Sequence, residues 1–133
     1  MALTQDRNTP MQDGELIAVP VATTKKIFAG SLVAANASGY ATPGAVATTL
    51  TYLGRAEEQV DNTTGANGDK TVNVRRKKAF KWKNHGADLV TQAELGKVCY
   101  IVDDETVAKT NGTSTRSAAG TVVGIDSDGV WVE

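Results

Sequence analysis

The chain has 133 residues, 41% hydrophobic and 22% charged, with a net charge of −1 and a single cysteine. That length suits one core without staples, the composition is globular rather than disordered, and one cysteine excludes both a disulfide framework and a cysteine zinc site. No apolar run approaches the roughly 20 residues of a bilayer span, and the opening "MALTQDRNTPMQDGE" lacks a signal-peptide core, so no membrane association and a start in the cytosol are expected.

Residues 1–14 are polar, carry Asn8-Thr9-Pro10 and end in Asp13-Gly14. They offer nothing to a core, which predicts an extended N-terminal arm followed by one domain over residues 15–133. "ELIAVPVA" reads as a short strand, confined by Pro20 to an edge or a bulge because proline has no N–H for a ladder. "KKIFAGSLVAANASGYATPG" is cut by Gly30, Ser38-Gly39 and Pro43-Gly44 and keeps no helical period, so strands and turns continue.

Next come "TLTYLGRAEEQV", the loop "DNTTGANGD" and "KTVNVRR", which predict a hairpin across the loop. Residues 70–87 then hold seven bases and no acid, against seven bases and 15 acids elsewhere, a balance of −8 outside the patch. Within "VNVRRKKAFKWKNH", residues 72–85, alternation sends Phe80 and Trp82 to one face and Lys81 and Lys83 to the other. The rings then belong to a core, "RKKA" is a turn or bulge between two strands, and the positive charge is left unexplained by folding, since a core needs the rings and not the bases. The competing reading is a nucleic-acid-binding β-barrel. In it Arg75, Arg76, Lys77, Lys78, Lys81 and Lys83 track phosphates and the two rings stack on bases.

The one helical signal is "TQAELG", where Thr91 caps, Glu94 stands three residues on and Gly96 takes the left-handed conformation. The last third gives "KVCYIVDDETVAKT", a loop "NGTSTRSAAG" and the pair "TVVGI" and "VWVE" joined by "DSDG". There Val122, Gly124, Val130 and Val132 oppose Val123, Ile125 and Trp131, with Asp128-Gly129 supplying positive φ to a tight hairpin. This pair echoes "YLGRAEEQV…KTVNV", since both run apolar, glycine, polar turn and alternating valine strand. The expected fold class is all-β, a small β-barrel or β-clip domain of short strands with at most one short helix.

Catalytic chemistry has little to work with. His85 sits in a turn-like "KNHG", Cys99 lies in an apolar run, and no P-loop or dinucleotide fingerprint exists. Asp103, Asp104 and Glu105 read as a solvated strand end, and Asp126-x-Asp128-Gly129 as a hairpin turn rather than a calcium loop. No enzymatic activity, cofactor or metal is expected.

The blocks "GELIAVPV", "AGSLVAAN", "YLGRAEE", "TVNVRRKKAFKW", "ADLVTQAELGKVCYIVDD" and "AAGTVVGIDSDGVWVE" follow one another in an order that resembles tailed-bacteriophage head decoration, or cement, proteins. The resemblance implies a β-barrel or β-clip domain that binds the outside of a capsid as a homotrimer and clamps neighbouring major capsid subunits against DNA pressure. It implies a virion location, with host cytoplasm during assembly, and an N-terminal arm laid on the lattice, as β-augmentation would do. The expected capsid contacts are Leu3, Thr4, Arg7 and Met11 of the arm and Arg75, Lys77, Lys81 and Lys83 of the basic face, meeting an acidic lattice rather than phosphate. A third reading, a glycan-binding tail module, needs exposed aromatics, and no cluster of them lies outside the patch.

Overall fold

Short runs of Val, Ile, Thr and aromatic residues between glycine- and proline-marked turns become twelve strands and one 3-10 turn in the computed structural model, which describes residues 1–133. The first half contains β1 Leu16–Pro20, β2 Lys25–Ile27, β3 Leu32–Ala35, β4 Ala41–Pro43, β5 Thr51–Ala56, β6 Val60–Asn62 and β7 Thr71–Arg75. The second contains β8 Phe80–Asn84, β9 Val98–Ile101, β10 Thr106–Ala108, β11 Ala118–Asp126 and β12 Gly129–Val132. The fold is all-β.

In the second half the strands close into a barrel, β10-β8-β12-β11-β9. In the first they form a sheet, β1-β7-β5-β3-β4, and Val21, just past β1, bridges in parallel to Ala41 of β4 and curls that sheet toward closure. Set side by side, the two halves are wired alike. Strands β1, β3, β4, β5 and β7 correspond in chain order to β8, β9, β10, β11 and β12, with four antiparallel pairings and one parallel pairing in each ring.

The correspondence reaches single hydrogen bonds. The Gly30 N–H donates to Ala56 O and the Gly96 N–H to Val122 O, both at 2.8 Å, while Ala56 and Val122 donate back to Ser31 O and Lys97 O. Gly30 and Gly96 share a left-handed φ of 80° and 82°. A Cβ on Gly54 would strike the Arg75 carbonyl, and one on Gly120 would strike the Glu133 carbonyl. Thus the echo visible in the sequence is real, but it aligns Gly54 with Gly120, not with Gly124.

Each ring encloses its own apolar cluster, and the two are sealed differently. Val19, Val21, Val33, Val72 and Val74 fill the first, covered by Ile27 and Val60 from the separate ribbon β2–β6. Phe80, Trp82, Cys99, Ile101, Val122, Val130 and Val132 fill the second, and the first half itself covers it with Leu32, Ala34, Leu50 and Tyr52. Alternation along β3 makes this sharing work, since Val33 points into one cluster while Leu32 and Ala34 point into the other.

Several local expectations change on contact with the structure. β6 pairs with β2, so the "DNTTGANGD" loop does not close a simple hairpin, although β5 and β7 do lie antiparallel. β7 and β8 are not paired; "RKKA" carries the chain from one ring to the other. In the β11–β12 pair a bulge between Val122 and Gly124 shifts the phase, so Ile125 turns inward to join the core instead of sharing a face with Trp131. Neither Asp128 nor Gly129 has positive φ. Gly129 is needed because a Cβ there would sit 2.6 Å from Lys81 Cγ and 2.8 Å from the Trp82 carbonyl. Gln92–Glu94 forms the 3-10 turn, and the Thr91 hydroxyl donates to the Glu94 carboxylate at 2.7 Å instead of capping a backbone N–H. Pro20 does lie on an outer strand, opposite Thr71.

Residues 1–14 form no strand and make no backbone hydrogen bond to the rest of the chain. Within them Arg7 Nη1 donates to Thr9 Oγ1, and at their root the Glu15 N–H donates to Asp13 Oδ1.

Candidate functional site

The basic segment divides between the two rings. Val72 and Val74 are buried in the first cluster, Phe80 and Trp82 in the second at 8% and 5% exposure, and the bases between and beside them face outward. Trp82 donates its Nε1 hydrogen to the Tyr52 hydroxyl at 3.1 Å, across the junction of the halves. Burial pushes the Tyr52 phenol up to about 12, against a smaller opposing effect of that hydrogen bond.

Most of the positive charge is engaged within the chain. Lys83 meets Glu105 at 2.6 Å, Lys81 meets Asp128 at 3.0 Å and Asp126 at 3.8 Å, Lys78 meets Glu15 at 3.1 Å and Arg75 meets Glu57 at 3.6 Å. Lys81 also lies over the Trp131 ring at 5.6 Å, and Lys70 donates to the Asp61 carbonyl at 2.7 Å. The hydrogen bond from Lys83 to Glu105 raises the lysine's pKa, and that from Lys81 to Asp128 lowers the carboxyl's. The charge that a core leaves unexplained thus has a place in the fold: acids scattered through the sequence converge on it once the strands pair.

Arg76 and Lys77 are the two bases of the segment's turn that form no ion pair. They stand with Lys78 on the rim of a groove whose floor is Tyr52, Leu53, Gly54 and Phe80, with Glu133 at one side. Arg55 covers the Phe80 ring at 4.9 Å. Lys77 has a φ of 60°, an uncommon conformation for a residue with a side chain, and its Nζ lies 3.2 Å from where a Cβ on Gly14 would be. The root of the arm and the unpaired bases are thus neighbours.

Of the eight expected contact residues, Leu3, Thr4, Arg7, Met11, Lys77, Lys81 and Lys83 are exposed and Arg75 is half-buried. The structure gathers Lys77 into the groove, while Lys81 and Lys83 stand on the outer face of β8 with their acids. Arg76 and Lys78 carry the same local signal as Lys77. Tyr52 and Leu53 carry none, because only the pairing of β5 with β7, which leads into the turn, brings β5 against residues 76–79.

The remaining polar residues are tied into turns. Asp88 accepts from the Thr110 N–H and hydroxyl and from Arg116 Nη1, binding two loops together, and Thr110 leads the causes that lower its pKa. Asp103 accepts from the Glu105 N–H, and burial, followed by the charge of Asp103, raises the pKa of Asp104. Cys99 is buried, and that burial pushes its thiol up to about 12, which makes thiolate chemistry at neutral pH remote. No helix of the chain is long and apolar enough to cross a membrane.

Comparison with protein-family models, with curated proteins and with solved structures finds no match to this chain.

Proposed function

We propose that this chain is a structural protein of a tailed-phage head, a decoration or cement protein that binds the outer capsid surface as a homo-oligomer, a trimer by resemblance. It clamps neighbouring major capsid subunits, and it works without a cofactor or a catalytic step. The order of sequence blocks supports this reading, as does an all-β body with short strands. One observation carries it: an arm of 14 residues with Leu3 and Met11 exposed by 71% and 98%, attached to a well-packed domain yet paired to nothing in it. Such an arm pays its ordering entropy only on a partner, where its free backbone groups add to a strand edge. Many equivalent lattice sites then turn modest contacts into tight attachment.

A base-stacking role for Phe80 and Trp82 needs those rings exposed beside the bases, and both face the core instead. Co-sedimentation with expanded phage heads tests the decoration reading, comparing the full chain with one lacking residues 2–14. The intact chain is expected to pellet with heads and the truncated chain to stay in solution. An intact chain that never pellets ends the reading.

A further inference from the structure

The groove at the ring junction has two independent features that folding does not require. The first is charge: Arg75, Lys78, Lys81 and Lys83 all have carboxylate partners, while Arg76 and Lys77, side by side in the crossover turn, have none. The second is conformation. Lys77 is held at a φ of 60°, where glycine would sit without strain, so a lysine there keeps its charge at the cost of backbone energy. The same groove is lined by Tyr52, Leu53 and Phe80, with Glu133 at one side.

We infer that this groove is a docking site for a short acidic segment of a partner protein. The segment's carboxylates meet Arg76 and Lys77, and an apolar side chain between them lies on Tyr52 and Leu53. Charge complementarity selects the occupant. A long polyanion running through the groove meets Glu133 at its side and Glu15 on Lys78, whereas a short acidic segment can end on Arg76 and Lys77. With Phe80 and Trp82 buried, Tyr52 is the one half-exposed ring in the groove, too little for the run of stacked bases a single strand uses, which favours peptide over nucleic acid. The site rests on the decoration reading only for who supplies the segment, an acidic loop of a capsid subunit; Gly14 lies beside Lys77, so arm and groove would engage one neighbourhood of that partner.

The test is fluorescence anisotropy at low salt with the full chain and a fluorescein-labelled peptide of about ten residues, mostly Asp and Glu with a central Phe. A length-matched oligo-dT is the second probe. The wild-type chain is expected to bind the peptide more tightly than oligo-dT. R76E combined with K77E should weaken peptide binding about tenfold or more, with K25E combined with K26E, on the β2–β6 ribbon, changing it little. K77G removes one charge and relieves the backbone, so it should weaken binding several-fold in a chain that melts no lower than wild type; it keeps the test open where the double reversal fails to fold. No peptide binding at low salt, equal losses in both reversals, or tighter binding of oligo-dT overturns the inference. Head co-sedimentation of the same variants separates the two proposals. Peptide binding without head binding leaves the groove standing and removes the decoration reading, whereas head binding without peptide binding does the reverse.

Discussion

Trp82 Nε1 lies 3.1 Å from the Tyr52 hydroxyl, and this single hydrogen bond joins an interior residue of one ring to an outward residue of the other. Around it Leu32, Ala34 and Leu50 close the second ring, so the halves share one interface. Tyr52→Phe leaves the ring packing in place but strands a buried indole N–H. It is expected to cost about 1–3 kcal/mol, read as a fall in the midpoint of urea unfolding at unchanged slope. Wild-type stability in the variant would mean that water replaces the hydroxyl.

The same tyrosine makes the fold alkali-sensitive. Its folded pKa of about 12 exceeds the ordinary 10, and that of Cys99, also about 12, exceeds 9. The unfolded chain therefore releases these protons first as pH rises. The stability they contribute is complete below pH 9, falls as pH climbs and is lost by about 12. Unfolding followed by circular dichroism across this window should show that loss, and combining Tyr52→Phe with Cys99→Ala should flatten it.

The repeated wiring of the rings yields a matched pair of glycine tests. Gly54→Ala and Gly120→Ala each drive a Cβ into a carbonyl of the strand alongside, Arg75 or Glu133. Each is expected to cost more than about 3 kcal/mol, near the extreme for a single substitution. Gly86→Ala, with open space around the added carbon and no positive φ, should stay within about 0.5 kcal/mol of wild type. A large loss in only one of the pair would show that the rings do not depend on the same close approach.

Acid should loosen the loop pair that Asp88 holds. Its carboxyl is kept below its usual range, first by the Thr110 hydroxyl and then by backbone and Arg116 contacts that outweigh desolvation, so the stability it lends is present above pH 4 and lost as pH falls further. Asp88→Ala removes that dependence, and with it the side-chain oxygen that accepts from Thr110 and Arg116. Hydrogen exchange at Lys109 and Thr110, whose N–H groups bond to the Asp88 carbonyl and carboxylate, should rise in wild type below pH 4; in the variant the Thr110 amide should exchange fast at neutral pH.

Trp82 fluorescence offers a check on the buried rings. Adding single-stranded DNA to a Trp131→Phe variant, in which Trp82 is the sole indole, should leave emission unchanged at low salt. A strong quench that disappears with salt would place Trp82 at a base-stacking surface and favour the nucleic-acid reading over decoration.

Period-two alternation, turn residues and the lack of any helical period determined by themselves that this chain is all-β, that Phe80 and Trp82 point inward and that residues 1–14 have no core to join. These properties depend on a residue and its near neighbours. Which strand pairs with which was decided only in three dimensions. β6 leaves β7 for β2, β7 and β8 part into separate rings, and a bulge at Val123 turns Ile125 inward. Long-range pairing also settled the meaning of the basic segment. Glu57, Asp126 and Asp128 lie far from it in sequence and beside it in space, and they neutralise Arg75 and Lys81. Composition counts charge without regard to distance, whereas an ion pair needs about 4 Å. Only the folded chain could single out Arg76 and Lys77 as the bases of the crossover turn left without an acid.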